Sequence, residues 1–277
     1  FKTDTGYRIS PNPDGPVDHE VPVLRIDGPD GKLRAVLFGY ACHNTTLSGY
    51  EFCGDYAGFA QQYIEDRHPQ ATAMFVEGCG ADQNPYPRPK AEALEYCQQH
   101  ARSLANGVET ALEAKARPVA GPLAAALDTV TLAFAKPPTR EQLELQAKSD
   151  NKYERIHAEA LLKELDRNGA IRTTYPYLVQ VVRFGDDLTM VALAGEVVVD
   201  YSLRLKKELP GTAVWVAGYS NDVFGYVPSL RILREGGYEG GDAMRYTQLP
   251  GPFAPSVEEK IVSKVHELVA KTASSGK

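Results

Sequence analysis

The chain has 277 residues, of which 43% are hydrophobic and 24% are charged, and its formal net charge is −6. This length and composition provide a large buried core, in one large domain or two small ones. No basic run or arginine-rich helix is present, so no nucleic-acid partner is predicted. No apolar stretch approaches the roughly 18 residues of a membrane span, so no transmembrane segment is predicted. The four cysteines form no C-x-x-C pair, which argues against a zinc-finger type of site.

Strands and helices alternate along the predicted chain. Predicted strands are 20–26, 33–43, 71–78, 123–135, two within the hairpin 177–195, and 212–222. Predicted helices are 56–68, 89–115, one or two within 137–169, 196–209, and a last helix that begins after Ser256, whereas 220–255 is predicted to be irregular. Buried strands that alternate with helices favour an α/β fold: a mixed, largely parallel sheet flanked by helices, in a single domain over 1–277.

Four of the predicted strands end in polar residues. Strand by strand, these residues are His43 to Thr46; Cys79 to Asn84; Glu196; and Tyr219 to Asp222, with Tyr226 just beyond. In open α/β sheets, ligands bind outside the carboxyl ends of the strands. The sequence therefore predicts one shared site at that edge. An imidazole, a carboxylate and one or two phenols could hold an ion such as Zn²⁺, which would activate water or polarise a carbonyl.

Each candidate residue also has a purely structural interpretation. His43 could be a hydrogen-bonded structural residue, and Glu196 could lie in the first turn of its helix, where it would favour the macrodipole. Tyr226 and Tyr238 are two of 15 tyrosines and could belong to the core or the surface. The acid and the amide that follow the third strand, Asp82 and Asn84, could be ordinary turn residues. Cys79 is predicted to be a small buried residue, because the glycines directly beside it do not form a nucleophile elbow.

Taken together, several stretches look like the neutral, non-lysosomal ceramidase family. The resemblance covers nearly the whole chain and is carried by NPDGPVDHEVPVLRI (12–26), FGYACHNTTL (38–47), AGEVVVDYSLRLK (194–206) and YVPSLRILREGGYEGG (226–241). It implies that His43, Glu196 and Tyr226 are zinc ligands and that Tyr238 lies over the substrate amide.

The same resemblance implies a function. It implies a zinc-dependent hydrolase that cleaves N-acylsphingosine to a fatty acid and a sphingoid base, with Tyr238 donating a hydrogen bond to developing charge. It further implies a lipid-like N-acyl amide as substrate, peripheral contact with a membrane, and secretion or a periplasmic location. The oligomeric state is left open.

The chain departs from the family pattern in two respects. The family has an earlier His-x-His segment, which supplies the first zinc histidine, and an arginine, and nothing before His19 matches them. The chain is therefore expected to be a piece of a longer protein or to complete the site differently.

The second departure concerns the nucleophile. The family's Gly-Asp-Val-Ser-Pro motif corresponds to residues 81–85, where Asn84 replaces the serine nucleophile. Because an amide cannot act as that nucleophile, zinc-activated water is predicted to attack, with Asn84 and Asp82 in the catalytic set. Two alternative functions remain: a ceramidase-like fold that has lost activity and serves as a binding module, or a hydrolase of a different amide or of an ester.

Overall fold

A computed structural model describes residues 2–3, 6–7, 11–209, 211 and 213–274. The strands are β1 Lys2–Thr3, β2 Gly6–Tyr7, β3 Val23–Asp27, β4 Leu33–Tyr40, β5 Thr72–Glu77, β6 Leu123–Ala133, β7 Thr174–Phe184, β8 Leu188–Leu193, β9 Glu196–Val197, β10 Ala213–Ala217 and β11 Tyr226–Val227. The α-helices are α1 Asp55–Arg67, α2 Ala93–Glu113, α3 Arg140–Gln146, α4 Lys152–Asn168, α5 Val199–Glu208, α6 Leu230–Glu235, α7 Gly237–Gly240 and α8 Val257–Ser274. Two 3₁₀ turns cover Lys90–Glu92 and Asp242–Tyr246. Thr212, the first residue of the strand predicted over 212–222, lies outside the described residues.

Two sheets organise the fold, and both are mixed. The first sheet has the order β3-β4-β5, with β3–β4 antiparallel and β4–β5 parallel. The second sheet has the order β10-β8-β7-β6, in which only β10–β8 is parallel. Short pairs join β9 to β11 in parallel and β1 to β2 in antiparallel. The predicted α/β class with helices flanking the sheets is confirmed. The parallel share is smaller than expected because tight turns join β3 to β4 and β7 to β8, and such turns impose antiparallel pairing.

Each sheet has its own apolar core. Against the first sheet, α1 and α2 bury side chains such as Phe38, Ile64 and Val108. Against the second sheet, α5 and α8 bury a larger cluster that includes Tyr177 and Ile261. Both helix faces are apolar at helical spacing, and burial of these faces is the main source of stability.

The charged segment 137–169, predicted to form one or two helices, folds as two. Thr139 and Gln142 form a reciprocal capping box that starts α3. α4 ends at Gly169, whose φ of 73° lies in the left-handed region that glycine adopts without strain. α4 also contacts the 3₁₀ turn at 242–246, where the ring centroids of Tyr153 and Tyr246 lie 4.8 Å apart. Across the described part of the chain, no helix combines the length and the apolarity needed to cross a membrane.

The two sheets meet at the carboxyl ends of β5 and β10. There the amide of Gly218 donates to the carbonyl of Glu77 at 3.1 Å. A Cβ on Gly39 would lie only 2.9 Å from the Trp215 ring, so the glycine permits this close approach of β4 and β10. The strand ends of both sheets are thereby brought to one edge of the molecule.

Candidate active site

Three predicted metal ligands meet at this edge. His43 follows β4, and its Nε2 lies 3.9 Å from Oε2 of Glu196 and 3.5 Å from the hydroxyl of Tyr226. Glu196 and Tyr226 are register partners in the β9–β11 pair, so backbone hydrogen bonds set them side by side. The interpretation of Glu196 as a residue of a helical first turn is wrong, because α5 begins at Val199 and Glu196 lies in β9.

His43 is held on every side. Its backbone amide donates to the carbonyl of Gln83 at 3.0 Å, and its Nε2 lies 3.0 Å from the carbonyl of Ala81. Nδ1 lies 3.2 Å from the hydroxyl of Tyr219. Since a carbonyl can only accept, Nε2 carries the proton in this arrangement, and in the neutral ring Nδ1 then accepts from the phenol.

The donor set fits a zinc ion. Two ligands of a tetrahedral zinc ion, each about 2.1 Å from it, lie roughly 3.4 Å apart. The separations of 3.5 and 3.9 Å from His43 Nε2 are close to this value, and imidazole, carboxylate and phenol are donors that zinc accepts. Among the described residues, no group of three or more His, Cys, Asp or Glu side chains could hold a metal, so the set depends on the phenol of Tyr226.

The electrostatics of Tyr226 make it a protonated phenol when no cation is bound. Burial, followed by the negative charge of Glu196, raises the pKa of Tyr226 far above its usual value. The side chains of His43 and Glu196 are 14% and 23% exposed, so solvent reaches the place where the three donors converge.

The glycines of the loop 78–84 are required by close backbone approach. A Cβ on Gly80 would lie 2.7 Å from the amide nitrogen of Cys42 and 2.9 Å from Oε1 of Glu77. A Cβ on Gly78 would lie 3.0 Å from Ala41. Between them Cys79 is fully buried, as predicted, and burial raises the pKa of its thiol. A buried thiol of that kind is a packing residue rather than a nucleophile.

The remaining predicted residues of this loop face different surroundings. Oδ1 of Asp82 accepts from the amide of Val199 at 2.9 Å, at the start of α5, and Oδ2 lies 3.7 Å from the guanidinium of Arg231. Burial raises the pKa of Asp82, while the bond from Val199 opposes the shift. Asn84 is partly buried, and its side chain makes no hydrogen bond within the described part of the chain. The structure thus links Asp82 to the support of α5 and leaves the amide of Asn84 free to bind.

Tyr238 lies beside Tyr226 over an open cavity. The two rings meet edge to face, with centroids 5.1 Å apart. The cavity has a volume of about 240 Å³ and is lined by Glu196, Val223, Phe224, Gly225, Tyr226, Tyr238, Ala243, Tyr246 and Thr247. Burial raises the pKa of Tyr238, so its phenol remains a hydrogen-bond donor at neutral pH. The segment 226–247, predicted to be irregular, supplies most of this wall, through β11, α7, the 3₁₀ turn and the residue that follows the turn.

Sequence reasoning gave no role to one residue that the structure places beside the site. Glu77 ends β5, and its carboxyl oxygens accept from Nδ2 of Asn44 at 2.5 Å and from the amide of Cys42 at 3.2 Å. Burial raises the pKa of Glu77 to about 8. The signal in the sequence was an acid at the end of an otherwise apolar strand, Thr72–Glu77.

Comparisons with known proteins find ceramidases. A crystal structure of neutral ceramidase from Pseudomonas aeruginosa matches 95% of this chain and 49% of its own, with a TM-score of 0.68 and 16% sequence identity. A structure of ceramidase complexed with C2 matches 93% of this chain and 50% of its own, with a TM-score of 0.64 and 14% identity. No model of a known protein family matches the sequence. No curated protein matches it either.

The likeness is one of fold. It extends over nearly all of this chain, which spans about half the length of the two ceramidases. The fold expected from the sequence resemblance is therefore confirmed, while identities of 14% and 16% establish the fold alone.

Proposed function

We propose that this protein is a zinc-dependent hydrolase of linear N-acyl amides, similar to ceramidases, in which His43, Glu196 and Tyr226 hold the ion. The observation that carries the proposal is the convergence of an imidazole nitrogen, a carboxylate and a phenol, of which the carboxylate and the phenol line an open cavity. The ceramidase-like fold supports it. Cleavage of N-acylsphingosine and a secreted or periplasmic location are parts of the same proposal.

Zinc would supply a water of lowered pKa and polarise the amide carbonyl when bound. Water is the proposed nucleophile because Asn84 occupies the position of the family's serine, and an amide cannot attack a carbonyl in that way.

The remaining work falls to side chains of the chain itself. Tyr238 projects over the cavity as a protonated phenol and donates a hydrogen bond to the charge that develops on the carbonyl oxygen. Asn84 has a free amide and orients the substrate or donates to the same oxygen. Asp82 acts indirectly, since its bond to Val199 fixes the loop that carries Asn84.

Metal analysis and a substrate panel test the proposal. Purified protein incubated with zinc and freed of excess metal should retain the ion and hydrolyse N-acyl amides, with N-acylsphingosine among the substrates. His43→Ala should lose both properties, whereas His266→Ala, at a surface histidine that pairs with Glu208, should keep them. Zinc retention and hydrolysis that survive in His43→Ala would overturn the ligand assignment.

A catalytically inactive binding module is the second candidate. Two points favour it: Asn84 stands where the sequence resemblance places the family's serine, and Nε2 of His43 is already paired with the carbonyl of Ala81. Such a module would bind N-acyl amides in the cavity without zinc and without turnover. Zinc retention with hydrolysis of other amides or of esters, but not of N-acylsphingosine, would instead indicate a different hydrolase on the same fold.

A further inference from the structure

We propose that Tyr219 is the positioning residue of His43: its phenol pairs with Nδ1 in both neutral tautomers of the ring, which leaves Nε2 as the nitrogen that faces Glu196 and Tyr226. The zinc-dependent part of this inference rests on the proposed function, whereas the pairing of Tyr219 with His43 does not.

The geometry between the two side chains is specific. The hydroxyl of Tyr219 lies 3.2 Å from Nδ1 of His43. The two rings meet edge to face, with centroids 6.0 Å apart and an interplanar angle of 74°. Nε2, on the opposite side of the imidazole, points to the carbonyl of Ala81 and toward Glu196 and Tyr226. The phenol therefore fixes which ring nitrogen enters the site.

The backbone of Tyr219 is held in a conformation that is costly for tyrosine. Its φ is 51°, in the left-handed region that glycine adopts readily and that bulky residues avoid. Two hydrogen bonds hold this turn, from the amide of Tyr219 to Gly195 and from the amide of Ser220 to Leu193, at 2.9 and 3.0 Å. A turn of this shape at the end of β10 aims the side chain at His43, and glycine in its place would supply no phenol.

A hydroxyl suits this role because it both donates and accepts. In the neutral ring, Nε2–H donates to the carbonyl of Ala81, so Nδ1 accepts and the phenol of Tyr219 donates. A cation at Nε2 needs the lone pair of that nitrogen. The proton then leaves Nε2 and one proton binds Nδ1, so the ring stays neutral, and the phenol now accepts from Nδ1–H. A carboxylate or an amide carbonyl could serve only the second tautomer.

Nitrogen NMR of ¹⁵N-histidine-labelled protein tests the pairing directly. Zinc-free wild type should show His43 with the proton on Nε2, and zinc should move it to Nδ1. Tyr219→Phe keeps the ring but removes the hydroxyl, so the Nδ1 signal of zinc-free protein should shift. Its zinc dissociation constant, measured by chelator competition, should rise about 10- to 100-fold, as for other outer-shell partners of metal ligands. Tyr201→Phe, which removes a buried hydroxyl bonded to Pro228, should leave both readouts unchanged.

The outcomes separate this inference from the proposed function. Wild type that carries the proton on Nδ1 without zinc would overturn the inference that the phenol donates to Nδ1 and becomes an acceptor when zinc binds, and this readout needs no variant to fold. An unchanged Nδ1 signal and zinc affinity in Tyr219→Phe would overturn it as well. If wild type binds no zinc while the Nδ1 signal responds to Tyr219→Phe as expected, the zinc-dependent function fails and the positioning of His43 by Tyr219 stands.

Discussion

The two sides of the candidate site position their side chains by different means. On the side of the first sheet, His43 lies on the loop after β4. Glu77 at the end of β5 holds this loop by accepting hydrogen bonds from the amide of Cys42 and the side chain of Asn44. On the side of the second sheet, Glu196 follows β8 and lies in the separate β9–β11 pair, whose two-residue parallel ladder sets its position.

This difference predicts where each side of the site is vulnerable. The position of His43 beside the first sheet depends on the hydrogen bonds of Glu77 and on the packing of the loop 78–84 against the backbone at Ala41 and Cys42. Positions in the β9–β11 pair depend on backbone hydrogen bonds, which a change of side chain leaves in place. A substitution there therefore removes the chemistry of that side chain and little else. Substitutions in the β9–β11 pair should therefore alter metal binding or catalysis at a nearly constant free energy of unfolding. Substitutions of Glu77 or in the loop 78–84 should lower or raise the free energy of unfolding as well.

Glu196→Gln should produce the largest effect. The variant keeps the shape and the β9 backbone but loses a charged ligand, so the zinc dissociation constant should rise by more than about 100-fold, beyond the usual effect of outer-shell changes. Chelator competition measures it, and the free energy of unfolding without zinc should be unchanged. Glu239→Gln, at a partly buried acid next to Tyr238, is the matched control. Equal losses in both variants would indicate a general effect of acidic charge rather than ligation by Glu196.

Tyr238→Phe should come next. Loss of a donor to the developing oxyanion lowers kcat by about 100-fold in enzymes where it has been removed, and zinc affinity should not change. Steady-state kinetics on an N-acyl amide measures the effect, with Tyr246→Phe on the same cavity wall as control. A rise in KM at constant kcat would contradict the role, because it would mean that Tyr238 binds substrate and transition state equally.

The sequence predicted the parts of the fold that depend on local pattern. Apolar runs such as 33–40 and 72–77 became buried or half-buried strands, and the helical spacing of 93–113 became α2. Strand ends rich in polar residues indicated the shared edge, and His43, Glu196 and Tyr226 do lie together there.

What the sequence could not predict depends on long-range geometry. β9 and β11 are two residues each, too short for any periodic signal, so the sequence pattern predicts a helix from Glu196 onward where the structure has β9. The contacts of Glu77 with Cys42 and Asn44 span more than 30 residues and appear only when β4 and β5 pair. Likewise, the left-handed conformation falls on Tyr219 rather than on the neighbouring Gly218, and the sequence pattern does not indicate this.

Gly80→Ala should destabilise the loop 78–84 by about 1–3 kcal/mol, a usual cost of overpacking. The new Cβ would meet the amide of Cys42 at 2.7 Å and Oε1 of Glu77 at 2.9 Å, and backbone cannot move aside as a flexible side chain can. Urea unfolding measures the loss. Gly58→Ala in α1, where a Cβ meets nothing within 4 Å, should instead stabilise the protein by up to about 1 kcal/mol. A neutral Gly80→Ala would show that the loop relaxes freely.

Glu77→Gln should change how stability depends on pH. The pKa of Glu77 is raised from 4.5 to about 8, so between these values the folded protein binds one proton more than the unfolded chain. Stability from this group is complete below pH 4.5 and is lost as pH rises toward 8, by up to roughly 1.4 kcal/mol per pH unit. Because glutamine does not titrate, urea unfolding from pH 5 to 8 should show the variant gaining on wild type as pH rises. Glu113→Gln, at an exposed acid at the end of α2, should run parallel to wild type. Parallel curves for Glu77→Gln as well would mean that Glu77 is ionised in the fold and that its bonds to Asn44 and Cys42 outweigh its burial.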